Sequence, residues 1–362
     1  MTATALTLPS GIAHAGTGER RLDTHRAAVQ QKLDALVKLG NASAQILVVK
    51  DGRTLRARAG TAELGKHRPV PYQGRFRIAS VTKTFTASVI LQLAGERKVD
   101  LDTPVERYLP GVLSDGEAIT VRMLLNHTSG LANPFGLEDV EGEGALRNRD
   151  KHFELTDWVA KGDALPRLFK PGSDSQYSNT NYYALGLLIQ AVTGQDWGQA
   201  VTERIIRPLR LRHTWAPGDQ THLPKPHVRG YTPVNGKPVD ITRLNPTVAG
   251  PAGALVSTTA DLDRFITALL SGKIVKPAQL KQMLRPNHHD RAYGLGIYRT
   301  TTSCGKVIWG HNGGIPGYGT DMMATLDGKH RAVLSVAIGN VSFGSAKLGE
   351  LQQAAMDAAF CG

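Results

Sequence analysis

The chain has 362 residues, 41% of them hydrophobic, with a formal net charge of +12 and an isoelectric point near 9.7. That length suffices for one large core or two small ones, and the charge points to polyanionic surroundings, either nucleic acid or an anionic cell envelope. The basic residues are scattered, with no long basic run, no paired Cys/His zinc spacing and no aromatic-basic ribonucleoprotein motif, which argues against nucleic acid.

Residues 3–12 are mildly apolar, and Ala13-His14-Ala15 precedes Gly16 in a small-x-small pattern, so residues 1–15 read as the tail of an export signal. An untethered N-terminus is the alternative. No stretch approaches the roughly 18 uninterrupted apolar residues of a membrane span. Residues 19–39 read as an amphipathic helix, with Leu22, Val29, Leu33, Leu36 and Val37 on one side and Gly40 as its stop. Residues 44–49 and 54–59 read as strands joined through Asp51-Gly52, a hairpin signal.

Next comes Ser80-Val81-Thr82-Lys83, opening a helix over 84–94 whose apolar positions Phe85, Val89, Ile90 and Leu93 recur at helical spacing. Positions three apart lie on one helix face, so the Lys83 ammonium reaches the Ser80 hydroxyl. A hydroxyl is a poor nucleophile until a neighbour takes its proton, and Lys83 is such a neighbour. The same spacing occurs by chance: Ser303 and Lys306 repeat it beside strand-like sequence, with a glycine between them and no helix behind.

From 101 to about 284 the texture is helices and loops. Residues 121–126 form a short helix ended by His127-Thr128-Ser129-Gly130, in which His127 reads as a turn residue packing a helix end. Residues 182–192 form an apolar helix capped by Asn179, Thr180 or Asn181. Another helix begins at 261, and the Pro- and Gly-rich stretch 209–251 is long enough to be functional or to be ordinary surface connection. His288-His289-Asp290 lies in a Pro-Asn loop and makes a poor chelate, so no metal is expected. The end returns to sheet, with strands at 306–309, 318–326 and 331–338 and a closing helix over 348–360. Strands at both termini with helices between predict one sheet assembled from both chain ends: an α/β domain of residues 16–95 and 290–362, a mostly helical domain of 96–289 inserted in it, and the active site at their interface. The two cysteines, Cys304 and Cys361, are either a bridge pinning the last helix or two free thiols; a bridge would stabilise the fold by about 4 kcal/mol on the chain-entropy view.

Two further motifs follow Ser80 in order: Tyr177-Ser178-Asn179 in a loop, and His311-Asn312-Gly313 after the first late strand. The series Ser-x-x-Lys, Tyr-x-Asn, Lys/His-x-Gly resembles the penicillin-recognising serine hydrolases (serine β-lactamases and D-alanyl-D-alanine carboxypeptidases). In particular it is similar to the secreted carboxypeptidases of Gram-positive bacteria, through Phe76 to Lys83, Leu125 to Leu131, Tyr177 to Asn181, Tyr293 to Gly296, Ser303 to His311 and the final Ala359-Phe360-Cys361-Gly362.

The resemblance implies a β-lactamase/transpeptidase-like fold, an antiparallel sheet flanked by helices, and two-step acyl transfer without a cofactor. Ser80 would be the nucleophile, Lys83 and Tyr177 would share the proton work with His311 beside them, and Asn179 would bind the substrate amide. The backbone N–H groups of Ser80 and Gly314 would form the oxyanion hole. A lysine beside a tyrosine oxygen favours the phenolate, so Tyr177 could take the Ser80 proton and pass it to the leaving group, and the sequence leaves open which of Lys83 and Tyr177 is the general base. Asn312, Gly313, Gly314 and Arg299 would complete substrate binding, and Cys304–Cys361 matches that group's disulfide.

The sequence departs from the carboxypeptidase pattern where a free carboxylate would be read. Asn312 and Gly314 stand where threonines are usual, and Tyr298 stands at the arginine position with Arg299 adjacent. A D-alanyl-D-alanine carboxypeptidase leads, with an esterase, a D-amino-acid amidase or aminopeptidase, a class C-like β-lactamase, or a non-enzymatic penicillin-binding sensor as alternatives. The expected partners are a small peptidyl or ester substrate, β-lactams as inhibitors and an anionic cell wall. The protein is read as a secreted monomer.

Overall fold

The computed structural model describes residues 15–362. The export-signal expectation for residues 1–15 therefore lies, but for Ala15, outside the described residues.

Helix α1 (Ala15–Lys38) leads into strands β1 (Ser43–Lys50) and β2 (Arg53–Gly60). Their turn is tight because Asp51 (φ 48°) and Gly52 (φ 77°) both take the left-handed conformation of a two-residue hairpin, closing Lys50 on Arg53. Near the C-terminus come β3 (Tyr298–Thr301), β4 (Val307–Ile315), β5 (Tyr318–Ala324) and β6 (His330–Ala337), then a helix over Ala346–Cys361. These six strands form one antiparallel sheet in the order β2-β1-β6-β5-β4-β3, so the two chain ends do meet at its centre.

Two features of the sheet differ from the sequence reading. Strand β3 was not expected. Strand β4 runs through His311-Asn312-Gly313-Gly314 rather than ending before it. Its glycines weaken the local strand propensity, yet the long ladder to β5 holds it, with His311 opposite Met322 and Gly313 opposite Thr320.

Side chains alternate across the sheet. The outer face buries Ile46, Val48, Leu334 and Val336 against Val29, Leu33 and Leu36 of α1 and Met356 and Phe360 of the terminal helix. That helix is fixed at its end by the Cys304–Cys361 disulfide, whose Cα atoms lie 5.7 Å apart. The inner face packs on the helical region.

The centre of that region is helix α2 (Thr82–Gly95), entered through a 3-10 turn over Ala79–Val81. It is buried nearly all round, not along a single stripe. Its polar positions are satisfied internally: the hydroxyls of Thr84, Thr86 and Ser88 donate to the carbonyls of Gly296, Pro251 and Thr84. Phe85 stacks on Phe265 at 3.6 Å between ring centroids. Helix α3 (Asn179–Thr193) starts two to three residues earlier than its apolar run, because Ser178 caps it by accepting from Thr180 N. Helix α4 (Thr259–Leu270) is capped in the same way by Thr258. The stretch 209–251 contains a short hairpin, Tyr231–Val234 with Lys237–Asp240. Helices Leu155–Asp163 and Pro277–Met283, which were not anticipated, fill out the region.

Candidate active site

Ser80 sits in the 3-10 turn, one residue after Ala79, whose φ of 49° is unusual for a side-chain-bearing residue. The twist turns the chain so that the Ser80 backbone faces β4. A Cβ placed on Gly313 would lie 2.6 Å from Ser80 N, so only glycine allows the strand to run this close. Ser80 and Gly314 both line the cleft.

Lys83, on the first turn of α2, is fully buried. Its Nζ lies 3.1 Å from Ser80 Oγ, 2.7 Å from Asn179 Oδ1 and 2.8 Å from the carbonyl of Ala252. The two carbonyl oxygens can only accept, so they take two Nζ–H bonds; in the neutral amine the remaining lone pair then points at the Ser80 hydroxyl. Burial, with no carboxylate in contact, holds the Lys83 pKa well below its ordinary value.

Tyr177 leans over the same group, with Lys83 Nζ 4.8 Å from its ring centroid. The residue is 39% exposed along the cleft, but its oxygen is turned inward. Burial there raises the phenol pKa, and a hydrogen bond with Ser80 opposes the rise. Burial favours the uncharged amine and phenol of this pair over an ammonium and a phenolate.

Asn179 donates its backbone N–H to Asn133 Oδ1 and gives its Oδ1 to Lys83. Its amide nitrogen is therefore the end available to a substrate carbonyl.

His311 is buried and occupied at both nitrogens. Nδ1 lies 2.5 Å from the carbonyl of Asn312, which can only accept, so Nδ1 carries the proton and Nε2 accepts from the Tyr293 hydroxyl at 2.8 Å. Burial, then the nearby Lys83, push its pKa down to about 3. Both ring nitrogens are thus engaged, one by the Asn312 carbonyl and the other by the Tyr293 hydroxyl.

His127 does occupy a turn, at φ 63°. It also lies directly beneath Tyr177, ring centroids 4.3 Å apart, with Nδ1 accepting from Asn181 Nδ2 and Ser178 N. The sequence reading missed this support.

Two predicted binding residues are not in the cleft. Strand alternation that turns His311 and Gly313 inward turns Asn312 outward, where it shares a small polar cavity with Asp321 and Gln352. Arg299 is exposed on the edge strand, its Nε donating to the carbonyl of Arg291. His289, in the loop of adjacent histidines, bonds the carbonyl of Gly172. Among the described residues no group of three or more His, Cys, Asp or Glu side chains is placed to hold a metal ion.

In front of Ser80 opens a cleft of about 360 Å³. Its walls include Phe135, Leu137, Tyr183, Ile315 and Phe343, and among the described residues no Lys, Arg, Asp or Glu lines it. No helix among the described residues is long and apolar enough to cross a membrane.

Comparison with known proteins agrees with this geometry. The Beta-lactamase family profile matches residues 26–346. Protein flp of Staphylococcus aureus (strain MW2) is 30% identical over 74% of the chain, which spans 53% of that relative's length. Penicillin-binding protein 4 of Amycolatopsis lactamdurans is 28% identical over 81% of this chain and 77% of that one. Among solved structures, a D-stereospecific amidohydrolase from Streptomyces sp. superposes with a TM-score of 0.83 at 36% identity, covering 93% of this chain and 98% of that one. The D-amino acid amidase from Ochrobactrum anthropi SV3, complexed with D-phenylalanine, gives 0.81 at 26% identity, covering 92% and 98%. With the Ser-x-x-Lys, Tyr-x-Asn and His-x-Gly residues gathered at one cleft on a matching fold, the chain belongs to the beta-lactamase family of serine hydrolases.

Proposed function

We propose that the protein hydrolyses amides of D-configured amino acids with apolar side chains, through an ester on Ser80. The observation that carries this reading is the uncharged lining of the cleft. A carboxypeptidase must hold the free carboxylate of its substrate. Here Arg299 points elsewhere, Asn312 faces the other side of the sheet, and Lys83 is committed to the machinery below. The carboxamide end of an amino acid amide is neutral and needs no cationic group to hold it. The two D-specific amide hydrolases of matching fold support the stereochemistry.

In the proposed reaction, neutral Lys83 takes the Ser80 proton as Oγ attacks the amide carbon. The oxyanion is held by the N–H groups of Ser80 and Gly314, a contact typically worth about 3–4 kcal/mol per donor. The Tyr177 hydroxyl protonates the departing nitrogen and is reprotonated by Lys83, so ammonia leaves and the ester remains. Water then gives a proton back along the same route and its oxygen attacks the ester carbon; Ser80 recovers its proton and the free D-amino acid leaves. Burial suits each partner to these steps, lowering the amine and raising the phenol.

Export is part of the same reading, supported by the disulfide, and the basic surface would suit work beside anionic wall polymers. The test is to incubate the purified protein with D-phenylalanine amide, L-phenylalanine amide and a peptide ending in D-Ala-D-Ala, following ammonia and D-alanine, with Ser80→Ala as control. Ammonia from the D-amide only, abolished in the control, is the expected result. Release of D-alanine without amide hydrolysis would overturn it in favour of a carboxypeptidase.

A further inference from the structure

The mouth of the cleft is built from two surface segments far apart in sequence. One is the turn of helix Leu137–Val140; the other is the 342–344 turn between β6 and the terminal helix. Phe343 lies over Gly314, where an added Cβ would come within 2.9 Å of its ring, and a Cβ on Gly344 would come within 3.0 Å of Leu137. Both Leu137 and Phe343 line the cleft, and Leu137 is 45% exposed although apolar.

The Glu141 side chain ties the two walls together by hydrogen bonds. Glu141 interrupts the helical path between Leu137–Val140 and Gly142–Asn148 in an extended conformation. One carboxylate oxygen accepts from the Ser342 hydroxyl at 2.7 Å and the other from the Phe343 N–H at 2.8 Å. No Lys, Arg or His pairs with Glu141 among the described residues. The carboxylate is therefore spent on those two donors, and charge-assisted bonds of this kind are the stronger sort. The flanking chain is braced as well, by Gly136 N to Asp139 and Gly142 N to Thr232.

From this we infer that Glu141 is a specificity-determining positioning residue: it clasps Phe343 against Leu137 and Gly314, so that the cleft closes around an apolar acyl side chain. It touches neither Ser80 nor Lys83, so its influence runs through pocket shape. The inference rests on the acyl side chain occupying this cleft.

The test compares p-nitrophenyl acetate with p-nitrophenyl 3-phenylpropanoate, which report acylation of Ser80 whatever the natural leaving group. Glu141→Ala lowers the bulky-to-small ratio of kcat/KM about tenfold, within the range that hydrophobic pockets discriminate, and the loss appears in KM for the bulky ester. Glu141→Gln, which keeps an acceptor for Phe343 N–H, recovers most of the ratio, and Phe343→Ala reproduces the loss with Glu141 intact. Equal losses on both esters, or no rescue by glutamine, overturn the clasp. Failure of the amidase reading shows separately, as absence of turnover of D-amino acid amides by the unaltered protein while the ester pair still reports on the pocket.

Discussion

The floor of the cleft and its mouth are built on different principles. The floor is Ser80, Lys83, Tyr177 and Asn179, held by buried helix starts and short hydrogen bonds to fixed backbone such as the Ala252 carbonyl. The mouth is Leu137 and Phe343, partly exposed and joined through the one carboxylate of Glu141. Chemistry needs distances kept to within a fraction of an ångström, and burial supplies that. Selectivity among side chains needs only a wall of the right shape, and a surface turn can change without disturbing the floor. The floor should therefore fail in turnover and the mouth in preference.

The sharpest way to break this contrast is Lys83→Met, which keeps length and removes the amine. A fall of about a thousandfold in kcat is expected for every substrate alike, the scale of a lost general base. The pH profile identifies the base. If neutral Lys83 is the acceptor, kcat/KM falls as the pH drops through the Lys83 pKa, which burial places well below its ordinary value. A Tyr177 phenolate would instead put that limb above the ordinary phenol range, because burial raises Tyr177. An acid limb on the high side would identify Tyr177 as the base.

Gly313→Ala comes next. Its methyl would sit 2.6 Å from Ser80 N, in the approach that brings β4 to the nucleophile. A loss of about a hundredfold in kcat is expected from the displaced oxyanion donor, with the bulky-to-small preference unchanged. A change in preference instead would mean that floor and mouth are not separable.

The floor was legible in the sequence because its parts sit in short motifs whose order resembles that of a known family. Ser80 and Lys83 are one helical turn apart, and Tyr177 and Asn179 flank the capped start of α3. The sheet was legible too, since Asp51-Gly52 and the alternation of Leu55, Ala57 and Ala59 declare the first hairpin. The parts that were not legible depend on contacts between remote segments. His127 supports Tyr177 only because α3 brings Asn181 and Ser178 to its ring. Strand β4 extends through its glycines because the ladder to β5 holds it, and Gly313 lets it run close to Ser80, neither of which shows in the strand's own residues. Ala252 offers only a backbone carbonyl, for which no residue type is a marker. Glu141 and Phe343 are some two hundred positions apart and belong to no motif.

The smallest expected effects fall on Asn312 and Arg299, and they probe the contrast from the outside. Both stand at positions where carboxylate-reading groups would be sought. Asn312, however, shares the outer face of the sheet with Asp321 and Gln352, and Arg299 lies exposed on the edge strand with its Nε on the Arg291 carbonyl. Neither contributes to the floor or to the mouth, so Asn312→Ala and Arg299→Ala should each stay within about twofold of the unaltered protein in both kcat and preference, as surface substitutions away from special features usually do. Steady-state kinetics on D-phenylalanine amide checks the first and the ester pair checks the second. A rise in KM confined to substrates bearing a free carboxylate in Arg299→Ala would show that this arginine reaches the cleft when such a substrate binds, and would reopen the carboxypeptidase reading that its present position opposes.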